Sequence, residues 1–128
     1  MKIDIEIGTI NISNNIEENY KMIAFGDSEI EDQIENYLLI QKANSFDEQD
    51  KELEMDSYYI EYNGQENSGY GLCSNVILDK NILVFYFDKK TDEDFSQIKL
   101  TLNQKKYDEN ELIEYLKFIL SDVLEIKK

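Results

Sequence analysis

The sequence predicts an α+β domain: an antiparallel sheet of about six to seven hairpin-connected strands, with a C-terminal amphipathic helix packed on one face. Three observations predict it. Short stretches with an apolar residue at every second position recur up to Leu102. Turn-forming residues, among them Asn63-Gly64 and Asp79-Lys80-Asn81, separate several of these stretches. The period then changes, and from Leu112 onward the apolar residues repeat at helical spacing.

Ile3, Ile5 and Ile7 alternate with Asp4 and Glu6, the pattern of a half-buried strand. Residues 11–19 are polar and rich in Asn, and read as a loop. Residues 20–25 form a second apolar run, closed by Gly26-Asp27-Ser28. Ile30 and Ile34 stand at helical spacing, but residues 37–41 beyond them read as a short buried strand. Residues 43–56 are the most charged stretch, and a turn or short helix fits residues 47–54. Tyr58, Ile60 and Tyr62 alternate with Tyr59 and Glu61 as a further strand. Asn63-Gly64 is the residue pair of a two-residue hairpin, because both positions require positive φ. Gly69-Tyr70-Gly71 opens the next strand, which runs to about Leu78, and its glycines suggest a bulge. Residues 82–87 form an apolar strand, and Ile98, Leu100 and Leu102 mark the last one. Asp108 and Glu111 then resemble a helix N-cap and its N3 partner. Leu112, Leu116, Ile119 and Val123 form the helix's apolar stripe, widened by Ile113, Leu120 and Leu124.

The 128 residues amount to one domain, 1–128. A hydrophobic fraction of 41%, with nine Tyr and six Phe, is too apolar for a disordered acidic tail. The net charge of −15 comes from 28 acids against 13 lysines, with no Arg and no His. This sign disfavours nucleic acid and anionic membrane, which need cations to neutralise phosphate. It favours a partner with a basic surface, although solubility alone also accounts for a surplus of acids. Cys73 is the single cysteine, so no intramolecular disulfide forms. The N-terminus lacks a signal peptide's apolar stretch, and no window approaches transmembrane length. These features predict a cytoplasmic protein.

The missing residue types exclude much chemistry. Without His there is no Ser-His-Asp or Cys-His pair. A lone Cys and no His cannot build a zinc site. No phosphate-binding loop is present, and Gly69-Tyr70-Gly71 lacks the third glycine of a dinucleotide fingerprint. Asp88, Asp92 and Asp94 have a loosely calcium-like spacing without the glycine such a loop needs. Cys73 has no basic neighbour in sequence and reads as a small buried strand residue. Paired carboxylates leave glycoside hydrolysis or Mg²⁺ binding open as a third reading, but solvated surface acids explain them better, and the sequence predicts no catalytic residues, no cofactor and no metal, and a protein that is not an enzyme.

Two acidic clusters stand out. Asp27, Glu29, Glu31, Asp32 and Glu35 form one. Asp47, Glu48, Asp50, Glu52, Glu54 and Asp56 form the other, which runs into Tyr58, Tyr59 and Glu61. Acids beside tyrosines suit a protein interface: carboxylates speed encounter with a basic partner, and Tyr offers contact area with few rotors. A solvated loop followed by an ordinary Tyr-rich strand would give the same pattern. Asp47 to Glu61, taken at these nine acids and tyrosines, are the candidate partner-binding residues.

Four segments stand in order: Tyr37-Leu38-Leu39-Ile40-Gln41, Phe46-Asp47-Glu48-Gln49-Asp50, Met55-Asp56-Ser57-Tyr58-Tyr59-Ile60-Glu61 and Asn67-Ser68-Gly69-Tyr70-Gly71. Together they resemble immunity protein family ten of bacterial polymorphic toxin systems. The resemblance covers roughly residues 20 to 103, and Leu72 stands where members often have a second glycine. It implies a cytosolic antidote that binds and neutralises a cognate toxin, commonly a nuclease or another cell-killing enzyme. A nuclease carries a basic substrate groove, which an acidic inhibitor fits. The charge alone equally suits an acidic interaction module, a nucleic-acid mimic or an adaptor, bound to another basic protein.

Overall fold

The computed structural model describes residues 2–45, 48–49, 57–88, 96–103 and 107–127. Among them, ten strands form two five-stranded sheets. Sheet A has the order β1-β9-β8-β7-β10. Its strands are β1 (Lys2–Glu6), β7 (Cys73–Asp79), β8 (Ile82–Phe87), β9 (Gln97–Thr101) and β10 (Leu124–Lys127). Sheet B has the order β2-β3-β4-β5-β6. Its strands are β2 (Thr9–Asn15), β3 (Tyr20–Gly26), β4 (Tyr37–Ala43), β5 (Tyr59–Tyr62) and β6 (Ser68–Tyr70). One described helix, α1 (Glu109–Ile119), precedes β10. The α+β class and the C-terminal helix agree with the sequence pattern, while the strands are more numerous than it predicts and divide between two sheets.

Sheet B is a simple antiparallel meander. Sheet A is mixed, because β1 pairs with β9 and β10 pairs with β7 in parallel. Hairpins therefore do not connect all the strands. β9, α1 and β10 form a crossover, and the helix on the way packs against β2, β3 and β4 of sheet B. Ile5, Val76, Leu78, Leu83, Phe85, Ile98 and Leu100 of sheet A share one buried cluster with Ile23, Phe25, Leu38, Ile40 and Ile60 of sheet B. Leu112, Leu116 and Ile119 of the helix complete it. Burial of each such side chain contributes about 1.5–3 kcal/mol.

Four local readings of the sequence change. First, residues 11–15 are not loop but most of β2, where Ile10 and Ile12 lie opposite Phe25 and Ile23. Asn is poor in strands by propensity, and a seven-residue register with β3 overrides it. Second, Asn63 and Gly64 do have positive φ, 51° and 128°. Their connection is longer than two residues, because a 3-10 turn, Gln65–Asn67, follows before β6. Third, the run from Gly69 to Leu78 is split between sheets. Gly71, at φ 60°, breaks it in the left-handed region that glycine enters at no steric cost. Fourth, α1 ends at Ile119, so Val123 and Leu124 do not extend its stripe. The backbone N–H groups of both bond to the carbonyl of Leu120, and Leu124 opens β10, a strand beyond the one taken from sequence as the last.

The chain crosses from sheet A to sheet B at Gly8, whose N–H bonds to the Gly26 carbonyl at 2.8 Å. A Cβ there would lie 2.6 Å from the Ser28 carbonyl carbon, so the close approach requires glycine.

Candidate protein-binding site

One face of sheet B is core, and the other carries the candidate site. The side-chain alternation of β4 points Leu38 and Ile40 inward and Tyr37, Leu39 and Gln41 outward. The register then places one outward row as Asn11, Ala24, Leu39, Glu61 and Ser68. The next row is Ser13, Met22, Gln41, Tyr59 and Tyr70. Tyr37 and Tyr20 lie on the same face, nearer its two ends. Four tyrosines, two larger aliphatic side chains and one carboxylate thus share a surface on which the rows hold no lysine.

Three of the tyrosines are organised around Glu61. The Tyr37 hydroxyl donates to Glu61 Oε2 at 2.5 Å, and the Tyr59 hydroxyl donates to Glu61 Oε1 at 2.6 Å. Tyr59 and Tyr70, opposite one another on β5 and β6, meet edge to face with ring centroids 5.5 Å apart. Burial, the hydrogen bond to Glu61 and its charge push the Tyr37 phenol up to about 12. Burial and the same carboxylate also raise Tyr59. Both phenols are therefore protonated donors at neutral pH, and they fix the direction of the carboxylate.

An acidic loop borders this face at the Tyr37 end. Residues 27–36 join β3 to β4. Asp27 is its clasp: its carboxylate accepts from the backbone N–H groups of Glu35 and Asn36 and from Asn36 Nδ2, at 2.9–3.0 Å. Burial acts to raise its pKa, and these hydrogen bonds outweigh it, so the Asp27 carboxyl lies below its ordinary value. Asn36 in turn accepts from Asn63 Nδ2 at 2.7 Å, which ties the loop to the turn after β5. Glu29, Glu31, Asp32 and Glu35 are exposed. Among them stands Ile30, 55% exposed, an apolar side chain on an acidic tip.

The candidate residues from sequence are placed unequally. Tyr59 and Glu61 are on the outer face and in contact. Tyr58 is a core residue, 5% exposed, and belongs to no surface. Its hydroxyl is taken up by the backbone of Cys73. Glu48 is exposed, in a helical turn with Gln49. Asp47, Asp50, Glu52, Glu54 and Asp56 lie outside the described residues, as do Asp92 and Asp94. Sequence reasoning missed Tyr37, Tyr70, Leu39 and Met22 as parts of the site. The available signal was the outward parity of Tyr37 and Leu39 in the strand before the acidic stretch.

The outer face of sheet A is chemically different. Ile77, Val84, Ile82 and Tyr86 there are rimmed by Lys80, Lys99 and Lys127. Asp79 lines the same groove, so that face carries both signs of charge, whereas the described rows of the sheet B face hold no lysine. Among the described residues no helix is long and apolar enough to cross a membrane.

The family model for immunity protein 10 matches residues 8–110. No curated protein and no solved structure matches the chain. The matched span holds all of sheet B, including every tyrosine and the glutamate of the outer face, and the strands β7 to β9. The chain belongs to the immunity protein 10 family.

Proposed function

We propose that the protein is a non-catalytic cytoplasmic antidote, which binds a cognate polymorphic toxin and blocks it. The toxin is a basic nuclease or a similar toxic enzyme. The binding surface is the outer face of sheet B, with Tyr59 and Glu61 at its centre and Tyr37, Tyr70 and Leu39 around them. The acids of residues 27–36, and Asp47, Glu48, Asp50, Glu52, Glu54 and Asp56 in the link between β4 and β5, supply long-range attraction.

The observation that carries this reading is the tyrosine cluster on a face whose described rows hold no lysine, in a chain of the immunity protein 10 family. Tyrosine is among the side chains enriched as interface anchors, because it buries a large area at low entropic cost. A net charge of −15 repels other acidic proteins and draws basic ones.

The test uses the toxin encoded beside this protein's gene. Purified protein added at equimolar ratio is expected to form a one-to-one complex and abolish the toxin's activity. Tyr59→Ala with Tyr70→Ala is expected to weaken that complex at least about tenfold, from loss of two anchors. Full toxin activity in the presence of excess protein overturns the reading.

A further inference from the structure

Resting on the reading of this face as the docking surface, we propose that Glu61 is the receptor for an arginine side chain of the partner. Glu61 sits on β5, the strand next to the β6 edge of the sheet, between Leu39 of β4 and Ser68 of β6. Its two oxygens each take one phenol hydrogen, from Tyr37 on one and Tyr59 on the other. An ionised carboxylate has about four acceptor positions, so roughly one on each oxygen stays open. Two open acceptors side by side on a planar group match the fork of a guanidinium, which donates two parallel N–H bonds.

Three further points select this occupant. Phenols orient the carboxylate without bringing charge, and among the described residues no cation pairs with Glu61. When a partner covers the face, water leaves the open positions, and an uncompensated buried carboxylate is strongly unfavourable. A cation brought by the partner removes that cost. The nearby Tyr59 and Tyr70 rings, 5.5 Å apart, give a planar cation a surface to stack on, which suits guanidinium better than the compact ammonium of lysine. Finally, the two hydrogen bonds lock Glu61 before binding, so little side-chain entropy is lost when the ion pair forms.

The experiment is a binding series with the same adjacent toxin. Glu61→Gln keeps the shape and removes the charge, and its urea midpoint confirms folding. It is expected to lower affinity at least about 30-fold, chiefly through a faster off-rate. In toxin labelled with nitrogen-15, one arginine Nε–H signal is expected to shift and gain exchange protection in the wild-type complex, and to lose both with Glu61→Gln. If Glu61→Gln binds within about twofold of wild type while Tyr70→Ala is impaired, the arginine receptor is wrong and the face stands. If neither substitution changes affinity, the face itself is wrong. An affinity loss with no protected arginine signal assigns the cation to lysine and overturns the proposal.

Discussion

The hydroxyl of Tyr58 occupies both backbone groups of Cys73, accepting from its N–H at 2.8 Å and donating to its carbonyl at 3.3 Å. Cys73 lies where the register of β7 on β8 shifts, so a side chain from just before β5 of sheet B stands in at an irregular point of sheet A. Tyr58→Phe keeps the buried ring and strips both hydrogen bonds. The two backbone groups are then left unsatisfied in the core, at about 1–3 kcal/mol each. The urea midpoint is expected to fall accordingly. Affinity of the folded variant for the toxin is expected to be unchanged, since Tyr58 is not on the outer face.

The same site makes Cys73 inert. Burial pushes its thiol up to about 12, the Asp88 charge adds to this, and the Tyr58 hydroxyl only partly opposes it. From an ordinary value of 9.0, that lowers the thiolate fraction about a thousandfold at neutral pH. Reaction with a thiol reagent at pH 8 is expected to be slow in the native protein and immediate in urea. A fast native reaction, followed by absorbance of the released chromophore, would contradict the placement.

Much of the fold is legible where a residue's own side chain decides its neighbours. The α1 start is one case. Asp108 caps the helix by accepting from the N–H groups of Asn110 and Glu111 at 2.9 and 3.3 Å, as the local sequence predicts. Asp108→Ala is expected to cost about 1 kcal/mol, seen as a lower midpoint in urea. Where pairing partners are distant the sequence is silent. β10 reads as the helix's last turn because Val123 and Leu124 fit the helical period, and only its parallel register on β7 shows otherwise. The Asn-rich β2 is hidden for the same reason.

The candidate site is legible by halves. Tyr59 and Glu61 are adjacent to the acidic stretch, so one short window contains both. Tyr37 is far from them in sequence and reaches Glu61 only through the register of β4 on β5. Tyr70 faces Tyr59 because the connection after Asn63 has the length that puts β6 beside β5. Tyr58 was the natural companion of Tyr59 in sequence, and strand alternation sends it to the opposite side.

The phenols around Glu61 predict how stability responds to alkali. Tyr37 ionises at about 12 in the folded chain, against 10.0 when unfolded, and Tyr59 is raised as well. A raised acid pKa means that the unfolded state loses its proton first. The stabilisation is therefore complete below pH 10 and is lost as pH climbs toward 12. The tyrosinate absorbance of the native protein is expected to rise late in this window. Tyr37→Phe removes one late-titrating phenol and is expected to make stability less dependent on pH between 10 and 12. An unchanged slope in denaturant midpoints across that range would sink this account of the Tyr37–Glu61 hydrogen bond.

The two acidic segments make a separate kinetic prediction. Carboxylates at the border of an interface act at long range, where they raise the encounter rate, and salt screens them over about 8 Å at physiological strength. Side chains at its centre act after contact and set the off-rate. Converting Glu29, Glu31, Asp32 and Glu35 to lysine, or Asp47, Glu48, Glu52 and Glu54 in a second variant, is therefore expected to slow association with the toxin roughly tenfold. It is also expected to flatten the salt dependence and leave dissociation nearly unchanged. Asp27 is kept in both variants, because its carboxylate holds the loop in place through Glu35 and Asn36. Stopped-flow association at two salt concentrations separates the two segments. The variant that loses salt sensitivity marks the acidic segment that the basic partner approaches, and loss in neither removes electrostatic steering from the mechanism.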